Sequence, residues 1–168
     1  MLSEIIPVAV RTPERVAEIS WFDDIIGGDT THLGILDESR RSSFDHCTDI
    51  VQNAEKLGFS GILFPTAYTV GQDVLTFAAG VAPLTDKINL LTAIRTGEVH
   101  PPMLARAIAS LDHMLKGRLM LNIINSDLPG LRENTDFRYQ RCTETIEILK
   151  QAWTKDRIDY QGEIYKFN

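Results

Sequence analysis

The chain has 168 residues, 43% of them hydrophobic and 24% charged, the balance of a globular protein with one sizeable core. Its formal net charge of -6, from 23 acidic and 17 basic side chains, speaks against general attraction to nucleic acid or an anionic membrane, though a local basic group can still hold a phosphate. Length suggests a single domain over 1–168.

Met1 to Arg11 lacks a cationic start followed by a long apolar run, so no secretory signal is expected there. No apolar stretch approaches the roughly 20 residues needed to span a bilayer. Cys47 and Cys142 are far apart in sequence. Free thiols in a reducing cytoplasm are the simpler expectation, and a cytoplasmic location follows from it.

Residues 1–17 have no clear period and read as a lead-in. Glu18 to Phe22 is a short strand candidate, and Asp23 to Arg41, rich in Gly and Asp, reads as a loop of about 19 residues, a length usually tied to function. Ser43 can cap a helix carrying Phe44, Cys47, Val51, Ala54 and Leu57 on one face and ended by Gly58. Gly61 to Thr66 is a continuous apolar run of the kind found in strands buried on both sides. A helix over Asp73 to Ala82 and a strand over Ile88 to Arg95 follow. Pro101 and Pro102 suit a first helical turn, and Leu104, Ile108, Leu111 and Leu115 mark the buried face of a helix closed by Gly117. Arg118 to Asn125 is the fourth strand. Tyr139, Cys142, Ile146, Leu149 and Trp153 then form a stripe at helical spacing, and Arg157 to Phe167 alternates around Gln161-Gly162 as a hairpin would.

The last three strands end about 30 residues apart, the repeat of a βαβ unit. The alternation implies an α/β fold with a parallel sheet; a doubly wound sheet and a barrel both satisfy it. Either way, ligands bind where loops leave the C-terminal ends of strands. That rule selects Asp23 to Arg41, Thr66 to Gln72, Thr96 to His100 and Asn125 to Arg138. The opposite loops, Lys56 to Phe59 and Lys116-Gly117, read as structural. No dinucleotide glycine fingerprint and no phosphate loop ending in Gly-Lys-Ser/Thr is present. His32, His46, His100 and His113 lack ligand spacing, so no metal site is expected. Asp112-His113 reads as a solvated helix pair.

Gly58 to Thr66 resembles the second-strand signature of the bacterial luciferase-like, flavin-dependent monooxygenases, especially their alkanesulfonate branch. Ile94-Arg95, Leu111 to Met114 leading to Gly117-Arg118, Asn122 to Asp127, and the Arg138-Tyr139 pair opening the fourth helix are similar to that family too. Trp21-Phe22, Gly28-Asp29 and His32 to Gly34 extend the likeness forward, so that it runs from about Ile19 to Phe167. Each motif alone is weak; their order and spacing are specific.

The resemblance implies a (β/α)8 TIM barrel of which this chain holds the first four units. It implies binding of reduced FMN, oxidation of a small organic substrate such as an alkanesulfonate by O2, and a separate NAD(P)H-dependent flavin reductase as partner. Asn122 is then expected near the flavin ring, Arg138 and Tyr139 at its phosphate, and Pro65-Thr66 close to the ring with unusual backbone geometry. Arg95 is a candidate for reduced flavin or an anionic substrate, and a structural ion pair is the competing reading. His32, Glu98 and His100 are weaker catalytic candidates, and His100 before two prolines also suits a turn. Val70 stands where the sulfonate enzymes tend to carry cysteine, and Gly130 follows Pro129 where an acidic residue is common, which leaves the substrate open. Two other readings stay open: a non-catalytic flavin-binding or truncated subunit-like protein, and a deazaflavin-dependent oxidoreductase. A full barrel takes about 250 residues. Four strands cannot close one, so association into a homo-oligomer is expected from the open edges.

Overall fold

A computed structural model describes residues 18–32, 35–68 and 71–168. The strands are β1 (Ser20–Phe22), β2 (Gly28–His32), β3 (Ile35–Arg41), β4 (Gly61–Phe64), β5 (Asn89–Arg95), β6 (Leu119–Ile124), β7 (Tyr160–Gln161) and β8 (Lys166–Phe167). The helices are α1 (Phe44–Lys56), α2 (Val74–Val81), α3 (Pro101–Leu115) and α4 (Thr135–Thr154). The lead-in over residues 1–17, and Val70, lie outside the described residues.

β1, β4, β5 and β6 form one parallel sheet in that order, with Phe22 opposite Leu63, Leu63 opposite Leu91 and Leu91 opposite Met120. This order separates the two architectures left open by periodicity. A doubly wound sheet reverses direction at a switch point, whereas here each new strand adds to the same edge. Successive crossovers of one hand then put every helix on one face, as in a barrel wall. The packing agrees: α1 lies against β4, α2 against β5 and α3 against β6, while each helix also touches the next.

Strand alternation sorts the side chains. Ile62, Phe64, Leu90, Ile94, Leu119, Leu121 and Ile123 join the helix-side core with Val51, Phe77, Leu104, Ile108 and Leu115. The opposite face carries Phe22, Leu63, Leu91, Ala93, Met120, Asn122 and Ile124. Phe22 is 54% and Met120 50% exposed, so this face lacks the cover that a closed barrel supplies.

Helix ends follow local chemistry. The Ser43 hydroxyl accepts from the His46 N–H, and Asp73 does the same for Thr76, fixing the starts of α1 and α2. At the end of α1 the N–H groups of Gly58 and Phe59 donate to Glu55 and Ala54, with Gly58 at φ 85, a Schellman motif. α3 ends in the same motif one residue earlier than expected. Lys116, not Gly117, takes its first left-handed position at φ 55, with Lys116 and Gly117 donating to His113 and Asp112.

Three expectations change. Asp23 to Arg41 is not a loop but contains the β2–β3 hairpin, whose register shifts between Gly28 and Thr30 and between Thr30 and His32. Those irregularities erase the period-two signal that marks a strand. Of the stripe Tyr139, Cys142, Ile146, Leu149 and Trp153, Leu149 alone is fully buried: Tyr139 is 63% and Trp153 44% exposed, and the other buried residues of α4 are Arg141, Glu144, Thr145 and Ile148. Arg141 and Glu144 are buried because each finds ionic or hydrogen-bonding partners, which composition does not reveal. The fourth helix opens at Thr135, so Arg138 and Tyr139 lie at the end of its first turn. The terminal hairpin is present as β7–β8, with Tyr160 opposite Phe167.

Candidate functional site at the strand ends

Arg95 is the last residue of β5 and only 4% exposed. Its Nε donates to Ser126 Oγ at 2.8 Å and its Nη1 to Glu98 Oε1 at 2.6 Å, while the guanidinium lies 4.4 Å from the centre of the Tyr68 ring. One side chain thus ties together the loops after β4, β5 and β6. Its charge is matched by Glu98, the ion pair that the sequence offered as the competing reading.

Two residue pairs away on the sheet, Asn122 stands opposite Ala93 on the face away from the helices. Its amide makes no hydrogen bond among the described residues and remains available to a ligand. Pro65 and Thr66 follow β4 directly and are half-buried. Neither a cis peptide bond nor a positive φ is found at Pro65 or Thr66.

The loop after β6 and the start of α4 carry a second polar group. Asn134 caps α4 by accepting from the Asp136 N–H at 2.8 Å. Arg138 donates from Nη1 to Asp127 Oδ1 at 3.0 Å and from Nη2 to Thr135 Oγ1 at 3.1 Å. Its Nε is buried with no partner. Both polar atoms of the Asn125 side chain and the Thr96 hydroxyl are likewise buried and unpaired at the ends of β6 and β5. Tyr139 is exposed on the next position of the helix.

Beneath this lies an ion pair that the sequence did not reveal. Arg141, 4% exposed, donates through both Nη atoms to the Glu133 carboxylate, with Nη2 at 2.8 Å from Oε2. The Arg141 hydrogen bond holds the Glu133 carboxyl below its usual range, outweighing burial, which acts in the other direction. Arg141 also packs under Gly97, where a Cβ would come within 2.8 Å of its Nε. Gly97 sits at φ 99, a backbone setting that favours glycine.

Of the weaker candidates, His100 caps the start of α3, with its ring 6.0 Å from Tyr165 and 5.7 Å from Phe167 of the terminal hairpin. The side chain of His32 lies outside the described residues. Asp112 accepts from the Leu119 N–H at 3.4 Å, while His113 is exposed. Among the described residues no group of three or more His, Cys, Asp or Glu is placed to hold a metal ion, and no helix is long and apolar enough to cross a membrane.

Residues 24–168 match the luciferase-like monooxygenase family over most of the chain. The chain belongs to that family. A sulfoquinovose monooxygenase of Agrobacterium fabrum is 59% identical over 151 residues, covering 90% of this chain and 39% of its own length. A second, from Novosphingobium aromaticivorans, is 43% identical over 160 residues, covering 91% of this chain and 44% of its own. The chain therefore spans less than half of the relatives it matches. Among solved structures, a riboflavin lyase crystallised with modified FMN and riboflavin superposes with a TM-score of 0.77 at 19% identity, over 90% of this chain and 45% of that one. That likeness supports the barrel fold: this luciferase-like monooxygenase chain follows the wall of a (β/α)8 barrel.

Proposed function

We propose that this chain supplies the reduced-FMN site of a monooxygenase whose substrate is an organosulfonate, with a sugar sulfonate favoured over a simple alkanesulfonate. The substrate class rests on the two sulfoquinovose monooxygenases that it resembles at 59% and 43% identity. The cofactor rests on one observation above others: the buried, unpaired Nε of Arg138 in the first turn of α4. A buried donor without a partner costs about 1–3 kcal/mol. The free N–H groups and positive dipole of a helix start favour an anion at the same place. A phosphate oxygen answers both, so the residues present fit the cofactor.

Arg138 and Tyr139 would hold the phosphate, and Asn122, Pro65 and Thr66 would border the ring. Bound reduced FMN supplies electrons to O2, so that one oxygen atom enters the substrate and the other leaves as water. The chain's own part is binding, orientation and exclusion of water. Leu63, Leu91 and Ile124 give the sheet face an apolar floor, and Arg95 holds three loops in place around it. In this reading a separate NAD(P)H-dependent flavin reductase delivers the cofactor.

Anaerobic titration of the full chain with reduced FMN tests the reading. Saturable binding is expected, weakened at least about tenfold in Arg138→Ala, the loss of one charge-assisted hydrogen bond. Absence of saturable binding by the unaltered chain overturns it.

A further inference from the structure

A cleft of about 390 Å³ opens at the strand-end side of the sheet, lined by Tyr68, Asp127, Leu128, Gly130, Leu131 and Arg132. Its volume lies within the roughly 300–1,000 Å³ typical of small-molecule sites. Two loops make it, those after β4 and β6, and Arg95 joins them from below through Tyr68 and Ser126.

Three chemistries meet in this cleft. The first is a free cation. Arg95 pairs with Glu98 and Arg141 with Glu133, while Arg138 pairs with Asp127 through Nη1 and offers its unpaired Nε to the cofactor site proposed above. Arg132, exposed at the rim, makes no ion pair or hydrogen bond among the described residues. A guanidinium fork is suited to a group with several anionic oxygens. The second is an aromatic surface: Tyr68 is 56% exposed, yet its ring is held by the Arg95 guanidinium. A ring fixed in place while open to solvent offers an apolar platform at little ordering cost. The third is a half-used carboxylate. Asp127 Oδ1 accepts from Arg138 and from the Glu133 N–H, while Oδ2 accepts from nothing among the described residues.

The loop that carries Asp127 and Arg132 turns back on itself between them. The Leu131 N–H donates to the Leu128 carbonyl at 3.0 Å across Pro129 and Gly130, the latter at φ 78. Proline followed by a glycine with positive φ is the pattern of a type II turn. An acidic residue in place of Gly130 would strain that turn and set a negative charge beside Arg132.

We propose that this cleft is the subsite that selects a sulfonated sugar: Arg132 takes the sulfonate, the Tyr68 ring lies along the C–H face of the sugar, and Asp127 Oδ2 accepts from a sugar hydroxyl. This deepens the organosulfonate reading above and rests on it. A plain alkanesulfonate uses one of the three groups, and a neutral sugar leaves the cation unmatched.

The test is calorimetric titration of the full chain with sulfoquinovose, glucose and ethanesulfonate, alongside the reduced-FMN titration. Sulfoquinovose should bind tightest of the three. Arg132→Ala should weaken it at least about tenfold, with part of the loss restored in Arg132→Lys. Tyr68→Ala should weaken sulfoquinovose and leave ethanesulfonate unchanged. Each variant should still bind reduced FMN, which shows that it is folded. Equal sulfoquinovose affinity in the unaltered chain and Arg132→Ala, with FMN binding intact, overturns the subsite while the flavin reading stands. Glucose or ethanesulfonate binding as tightly as sulfoquinovose also overturns it, as does an unaltered chain that binds FMN but no sulfoquinovose.

Discussion

Replacing Glu144 by alanine removes the anchor of the terminal hairpin. Glu144 is 2% exposed, and its carboxylate accepts the backbone N–H groups of Glu163, Ile164 and Tyr165 at 2.8–3.2 Å and the Gln140 side-chain amide at 2.9 Å. Burial alone would push its pKa up. The Gln140 amide and the three N–H groups outweigh burial and hold it below the usual carboxylate range. Glu144→Ala leaves three backbone donors without an acceptor. Each lost hydrogen bond is worth about 1 kcal/mol net, giving roughly 3 kcal/mol in all. That is a change of about a hundredfold in the local opening equilibrium. Amide hydrogen exchange reads it directly: the three amides should lose protection while core amides such as Leu90 keep theirs. The sign with pH is fixed. Because the folded-state pKa is depressed, the stabilisation is complete above the ordinary glutamate range and is lost as pH falls through the folded value. Unchanged opening free energies for Glu163, Ile164 and Tyr165 in Glu144→Ala would refute the argument.

Two further substitutions probe the backbone. Gly97→Ala places a Cβ 2.8 Å from Arg141 Nε at φ 99, so a loss of about 1–3 kcal/mol in denaturant unfolding is expected, with weaker reduced-FMN binding because the loop after β5 shifts. Lys116→Gly relieves the left-handed strain at φ 55 where α3 ends, and should raise stability by about 1 kcal/mol, seen as a higher urea midpoint at constant slope.

Glu144 clamps the terminal hairpin, and His100 meets the Tyr165 ring edge-on and the Phe167 ring at a tilt. These contacts hold the terminal hairpin against the start of α3, which follows the loop after Arg95, and against the middle of α4. Cys142, one turn along α4, has its thiol pKa pushed up by burial, with Arg141 acting in the opposite direction; it is a poor nucleophile there.

Local chemistry was legible residue by residue. The apolar runs at Gly61–Phe64, Asn89–Arg95 and Leu119–Ile124 became the central strands because strands flanked by helices on one side and a barrel interior on the other can expose little polar surface. Ser43, Asp73 and Gly58 fixed helix ends through bonds that reach only a few residues. The motif order also carried the family. Strand order, the bulged β2–β3 hairpin and the buried Arg141 and Glu144 were decided only in three dimensions. Periodicity records which side of an element avoids water. It carries no information on which charged side chain will meet its partner across a loop, because that pairing depends on where distant segments come to rest.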